Sequence, residues 1–241
     1  MKSYQIHFIS HGACEEIRKG AYIGTKDVEL SAEGIEELKK LDSEFDYPGT
    51  PVIFTSPLKR CLQTCEIIYP SIKPIVIDQL RECSFGEWEG MTAEDLSKKE
   101  DFKKWLAGDT SVKPPKGESS ADFTRRVCNI FRDIVDGLIK TGNTNCVIVT
   151  HGGVIMTLLS VYGLPQAKPF EWTMGDGCGF SMRVTPSLWM RDHVAEVYAR
   201  LPYEKRKEEP YETEDYFGND IVYFDKYNDD EINYDDDNLN K

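Results

Sequence analysis

Two histidines stand just past short apolar runs, and each is followed by glycine. Residues 4–9 (YQIHFI) lead through Ser10 to His11-Gly12, and Asn145–Thr150 (NCVIVT) leads to His151-Gly152-Gly153. In an open α/β sheet, ligands gather at the carboxyl ends of the strands. Each histidine could simply cap its strand, but two of them with the same flanks point to one shared pocket. Glycine lets backbone approach a ligand closely. The helix expected after Gly152-Gly153 turns its amino end towards the same edge, which favours an anion. Arg60, in the run TSPLKRCLQTCEII, falls in the first turn of a helix, where a guanidinium offers forked donors to oxyanions. Its neighbour Lys59 reads as a surface charge. The run LRECSFGEWEG holds three candidate acids, Glu82, Glu87 and Glu89. Protonating a leaving oxygen needs a carboxyl whose pKa is held up by burial, and Glu82, between apolar Leu80 and Phe85, suits that best.

Other chemistries lack their residues. A phosphatase using a cysteine thiolate needs arginine six positions after it, and none of the seven cysteines has one there. No GxxxxGK[ST] run is present, and Gly12 stands alone where a dinucleotide fold needs GxGxxG. The cysteines are odd in number and irregular in spacing, so neither a disulfide framework nor a zinc knuckle can be drawn. Reduced thiols in a cytoplasm fit best. Cys61 and Cys65, four apart on a helix, read as core thiols. His7 reads as a structural residue of the first strand and His193 as a strand or surface residue. No cluster of metal ligands and no cofactor motif is visible.

The elements that must position these groups follow from periodicity. Strands are expected at 4–9, 51–56, 75–77, 145–150, 179–184 and 193–197. Helices are expected at 35–45, capped by Ser31, at 57–68 with Pro57 in the first turn, at 120–139, at 154–161, and once or twice within 92–106. Strands alternating with helices predict an α/β fold, a three-layer αβα sandwich around a mainly parallel sheet. Loops at about 90–120 and 172–178 are expected to cover the pocket and set specificity.

The chain has 241 residues and a net charge of −13. Fourteen acidic and five basic residues lie in 202–241, a local charge of −9 that leaves −4 for 1–201. We therefore expect one catalytic domain over 1–201 and an acidic, disordered tail over 202–241, either solubilising or able to contact a basic partner. The charge argues against nucleic acid and anionic membranes as partners. No run reaches the roughly 18–20 apolar residues of a membrane helix, and no secretory leader is recognisable.

Taken in order, His11-Gly12, the SPLKR helix, the LRE–FG–WEG loop, PKGES at 115–119 and THGGV at 150–154 resemble the histidine phosphatase superfamily, the phosphoglycerate-mutase-like proteins. The likeness spans about residues 4–185. The ECSFGEWEG form is closer to phosphatases than to cofactor-dependent mutases. The GAYIGTKDVELSAEG and GDGCGFS runs are similar to α-ribazole-5′-phosphate phosphatases. The resemblance implies a metal-independent phosphomonoester hydrolase acting on a small phosphorylated metabolite. His11 would become phosphorylated, Arg60 and His151 would bind phosphoryl oxygens with Gly152 beside them, and Glu82 would give and then take a proton. A phosphoglycerate-mutase-type transferase and a phosphate-ester-binding protein without turnover are the alternatives.

The family pattern has arginine immediately before the histidine, and this chain has Ser10. Removing one such oxyanion contact costs on the order of 3–4 kcal/mol of transition-state stabilisation. Three explanations stand: an introduced substitution, a natural loss that weakens or abolishes turnover, or replacement of the charge by Arg18 from the following loop.

Overall fold

The computed structural model describes residues 2–107 and 112–205. In chain order they form β1 (Tyr4–Ser10), α1 (Glu15–Arg18), α2 (Ala32–Glu44), β2 (Phe45–Asp46), β3 (Ile53–Thr55), α3 (Lys59–Ile68) and β4 (Ile75–Val76). Next come α4 (Ala93–Leu96), α5 (Glu100–Leu106), α6 (Ser120–Thr141), β5 (Asn145–Thr150), α7 (Gly152–Tyr162) and β6 (Gly163–Leu164). The order closes with β7 (Gly179–Val184), α8 (Pro186–Asp192), β8 (Ala195–Leu201) and β9 (Tyr203–Glu204). Seven strands make one sheet in the order β4-β3-β5-β1-β7-β8-β6. The pairs β4/β3, β3/β5, β5/β1 and β8/β6 are parallel, and only β7 runs against its neighbours.

Alternation along the strands builds two cores. Ile6 and Phe8 of β1 and Cys146 and Ile148 of β5 join α6, α7 and α8 on one face. Ile9, Val147 and Val149 join α2 and α3 on the other. With both faces covered, the central strands have no solvated side, which is why β1 and β5 read as nearly continuous apolar runs. A third, smaller cluster packs Trp88, Leu96 and Phe102 against Tyr22, Phe85 and Trp105, tying α4 and α5 to the loops below them. No helix among the described residues is long and apolar enough to cross a membrane.

Local chemistry sets the element ends. The Ser31 side chain accepts from Gly34 N–H at 3.0 Å, as its position suggested, so α2 begins at Ala32 rather than near Ile35. Gly34 has to be glycine, because a Cβ there would overlap the Ala13 carbonyl. The helix expected from Pro57 begins at Lys59 instead: Leu58 is extended and forms the cap, leaving Pro57 outside the first turn. The last strand is shifted too. Thr185-Pro186 starts a helix the periodicity did not reveal, and His193 ends it in a left-handed conformation (φ 51°). Strand β8 therefore occupies 195–201, and His193 is exposed, edge-on to the Trp189 ring. Past the boundary expected at 201, Tyr203 and Glu204 pair with Asp46 and Phe45. The rest of the acidic segment, 206–241, lies outside the described residues.

Phe131 on α6 is fully buried, with the rings of Phe8, Tyr162 and Trp189 at 5.6, 5.3 and 5.7 Å. Phe131→Ala should lower the free energy of unfolding by about 3–5 kcal/mol, read from urea denaturation.

Candidate active site

Parallel neighbours β1 and β5 stop side by side, with Ser10 opposite Thr150. The next residue of each strand is a histidine, so the sheet register itself brings His11 and His151 together. Their ring centroids are 5.2 Å apart at 65°. Arg60 enters from the first turn of α3, and its Nε donates to His151 Nδ1 at 3.3 Å. Its terminal nitrogens donate to the carbonyls of Lys26 (2.9 Å) and Gly24 (2.7 Å). Glu82 follows the 3-10 turn Asp78–Leu80 and lies against the start of α7, accepting from Gly153 N–H at 2.9 Å and Cys83 N–H at 2.8 Å.

Arg60 is 0% exposed, His151 1%, His11 6% and Glu82 9%. Burial therefore dominates their protonation. It pushes His11 down to about 3, with Arg60 adding to the effect, and drives His151 well below the ordinary histidine range for the same two reasons. Burial raises the Glu82 carboxyl, opposed by its two backbone N–H donors. The tautomers follow from the partners. A carbonyl cannot donate, so the 2.7 Å contact between His11 Nδ1 and Gly12 O puts the proton on Nδ1 and the lone pair on Nε2. A guanidinium cannot accept, so His151 Nδ1 is bare and its Nε2–H points to Ser56 Oγ at 2.9 Å.

Close packing explains the glycines of both motifs. A Cβ at Gly12 would lie 2.5 Å from Leu38 Cδ1, and one at Gly153 would overlap the Glu82 carboxylate. Gly152 has nothing within 4 Å on that side, so its backbone borders open space. Ser10 is buried beside His11 with its N–H donated to Cys178 O (2.8 Å). Arg18 is not brought into this group: it sits on α1 and pairs with Glu37 at the surface. Glu87 is also outside, paired with Lys116 at 2.9 Å. Glu89 instead clasps a loop, accepting from Gly24 N–H (2.9 Å) and Thr25 N–H (2.8 Å). Lys59 is at the surface with Glu29, and His7 is buried in the sheet against Ser181 Oγ.

Several supporting residues carried no readable signal. Ser56 and the Gly24 and Lys26 carbonyls are visible only once the chain is folded. Thr64 accepts from Gly12 N–H (3.0 Å) and donates to Arg60 O (2.7 Å), linking the loop after His11 to the helix that carries Arg60. Arg126 of α6 reaches the Gln79, Arg81 and Glu82 carbonyls and pairs with Glu118 at 2.6 Å, fixing the Glu82 loop. Glu118 belongs to the PKGES run noticed above, and only its role was hidden.

The model of the histidine phosphatase superfamily (branch 1) matches residues 6–192. This chain belongs to that superfamily. Among relatives, it is 31% identical over 203 residues to phosphoserine phosphatase 1 of Hydrogenobacter thermophilus (strain DSM 6534 / IAM 12695 / TK-6), covering 79% of this chain and 94% of that protein. It is 25% identical over 179 residues to the adenosylcobalamin/alpha-ribazole phosphatase of Escherichia coli (strain K12), covering 72% and 87%. The crystal structure of a phosphoglycerate mutase from Thermus thermophilus superposes with a TM-score of 0.61 at 28% identity, over 83% of this chain and 99% of that one. The sheet and its flanking helices are thus the histidine phosphatase fold, and phosphatases and mutases are its enzymatic relatives.

Three buried histidines, His7 (down to about 4), His11 and His151, are held neutral in the folded chain. Their folded pKa values lie below the unfolded value near 6.5, so the unfolded chain binds more protons in acid. Their contribution is complete above pH 6.5 and is lost as pH falls towards 4, at about 1 kcal/mol per pH unit for each histidine. The urea midpoint should fall between pH 7 and 5, and His7→Gln should flatten that slope.

Proposed function

We propose that this histidine phosphatase hydrolyses a phosphate monoester of a small metabolite in two displacements at phosphorus. The observation that carries the reading is the His11 tautomer: Nδ1–H is tied to Gly12 O, which leaves the Nε2 lone pair as nucleophile beside Arg60 and His151. In the first step Nε2 bonds to phosphorus, the bond from phosphorus to the ester oxygen breaks, and the Glu82 carboxyl gives its proton to the departing alkoxide. In the second step water attacks phosphorus, Glu82 takes its proton, and the N–P bond breaks to release inorganic phosphate. Splitting one displacement into two is what a nucleophilic side chain contributes. The rest is positioning and charge on the phosphoryl oxygens, supplied by Arg60 and the amino end of α7. His151 keeps Arg60 Nε oriented and turns its ring towards the same group. Gly152 leaves room for the phosphoryl oxygens.

Hydrolysis is favoured over phosphoglycerate-mutase-type transfer by the ECSFGEWEG sequence around Glu82 and by relatives named as phosphoserine and alpha-ribazole phosphatases. The uncharged Ser10 favours a second reading, a phosphate-ester-binding protein with weak or no turnover, because it adds no cation next to the nucleophile. Arg18 would have to leave Glu37 to supply one.

Hydrolysis of p-nitrophenyl phosphate tests this. His11→Ala should abolish turnover, and Ser10→Arg should raise kcat/KM roughly a hundred- to thousandfold. A Ser10→Arg protein as inert as His11→Ala would remove the catalytic reading. Gly153→Ala, which pushes the Glu82 carboxyl aside, should lower kcat by about a hundredfold or more and leave KM nearly unchanged. An unaltered kcat would take the proton-transfer role away from Glu82.

A further inference from the structure

Arg126 projects from α6 towards the loop that carries Glu82, and each of its five guanidinium N–H groups has a partner. Nε and one Nη2 hydrogen form a fork with the Glu118 carboxylate at 2.9 and 2.6 Å. The two Nη1 hydrogens go to the Gln79 and Arg81 carbonyls at 2.7 and 2.9 Å. The last Nη2 hydrogen goes to the Glu82 carbonyl at 3.3 Å. A guanidinium has no further donors, so none is left over for a ligand. Arg126 is therefore placed to hold protein and not substrate.

The loop it grips is anchored at both ends. On one side the Leu80 carbonyl accepts from Thr150 Oγ1 at the sheet edge, at 2.7 Å. On the other, Ser84 O accepts from Glu118 N–H and Pro115 O accepts from Glu87 N–H, each at 2.9 Å. Between these anchors lies the Glu82–Cys83 peptide. Its carbonyl accepts from Arg126, and its N–H, on Cys83, donates to Glu82 Oε1 at 2.8 Å. A peptide unit is planar and stiff, so a partner on its oxygen fixes the direction of its N–H. Arg126 thus sets the line along which one oxygen of the Glu82 carboxyl is held. Gly153 N–H holds the other oxygen at 2.9 Å.

We propose that Arg126 is a positioning residue for proton transfer, aiming the Glu82 carboxyl at the leaving oxygen through the Glu82–Cys83 peptide. The inference rests on the reading of Glu82 as the proton donor. It adds to that reading a residue of α6 whose donors are all spent inside the protein, with Glu118 fixing the angle of its fork.

The test compares kcat/KM for ethyl phosphate and 4-nitrophenyl phosphate in full-length chains that carry Ser10→Arg. This parameter covers the steps up to departure of the alcohol. Ethoxide depends on a proton as it leaves far more than 4-nitrophenolate, the more stable anion. The quotient of the two values is independent of how much of the protein is folded, so a loss of stability leaves it readable. Arg126→Met should lower kcat/KM about a hundredfold for ethyl phosphate and no more than about tenfold for 4-nitrophenyl phosphate. The inhibition constant of inorganic phosphate should stay unchanged. Arg126→Lys keeps the charge but has too few donors for the acceptors, so it should show the same selective loss on a smaller scale. Glu82→Gln is the reference. If it loses ethyl phosphate selectively while both Arg126 variants lose the two esters equally, or lose neither, the inference is overturned and the acid reading stands. An Arg126→Lys chain that matches its parent overturns it as well, because charge alone then suffices. So does a phosphate inhibition constant that rises in step with the fall in kcat/KM, which assigns Arg126 to binding. An unselective Glu82→Gln overturns the acid reading and this inference together, as does a parent chain that hydrolyses neither ester.

Discussion

A guanidinium with no exposure to water has to find all its partners inside the protein, and Arg60 does so in three directions: the Gly24 and Lys26 carbonyls and His151 Nδ1. Much of the surrounding loop structure answers that demand. Gly24 must approach the Cys83 carbonyl so closely that a Cβ would overlap it. Glu89 then holds the loop by accepting from the Gly24 and Thr25 amides. Leaving a buried charge without such partners costs about 3–5 kcal/mol, comparable with much of a domain's net stability. The loops around residues 24 and 89 therefore support the candidate site through Arg60.

The same exclusion of water sets the protonation of the other three groups. It makes neutral imidazoles of His11 and His151, and it raises the Glu82 carboxyl. In the mechanism proposed above, a neutral imidazole serves as nucleophile and a carboxyl of raised pKa as acid, so burial favours both roles. The arrangement stays specific because each group has fixed partners: Gly12 O for His11, the Cys83 and Gly153 amides for Glu82, and Arg60 Nε and Ser56 Oγ for His151. Arg126, paired with Glu118, braces the Glu82 loop from the side of α6.

Much of the fold was legible before folding. Short apolar runs over 145–150 and 4–9 marked the two central strands, and the apolar stripe of 120–139 marked α6, which ends at Thr141 beside a left-handed Gly142. Two short elements were hidden for identifiable reasons. Helix α8 has an apolar run of three residues, Leu188–Met190, too short to show a helical period, and β9 is a two-residue strand that pairs with β2. The start of α3 at Lys59 differs from the expected Pro57 because proline suits a first turn and a pre-helical position alike.

The sequence by itself determined which chemical groups are available: two histidine–glycine pairs after strands, an arginine at a helix start, and an acid between apolar neighbours. Those are local properties, encoded by residue type and spacing. Only the tertiary structure decided that the histidines lie 5.2 Å apart, that Glu82 rather than Glu87 or Glu89 faces α7, and that Arg18 is spent on Glu37. These depend on the register of β1 against β5 and on which loops close over the sheet edge. Contacts between residues 140 positions apart, such as His11 and His151, leave no trace in a short window of sequence.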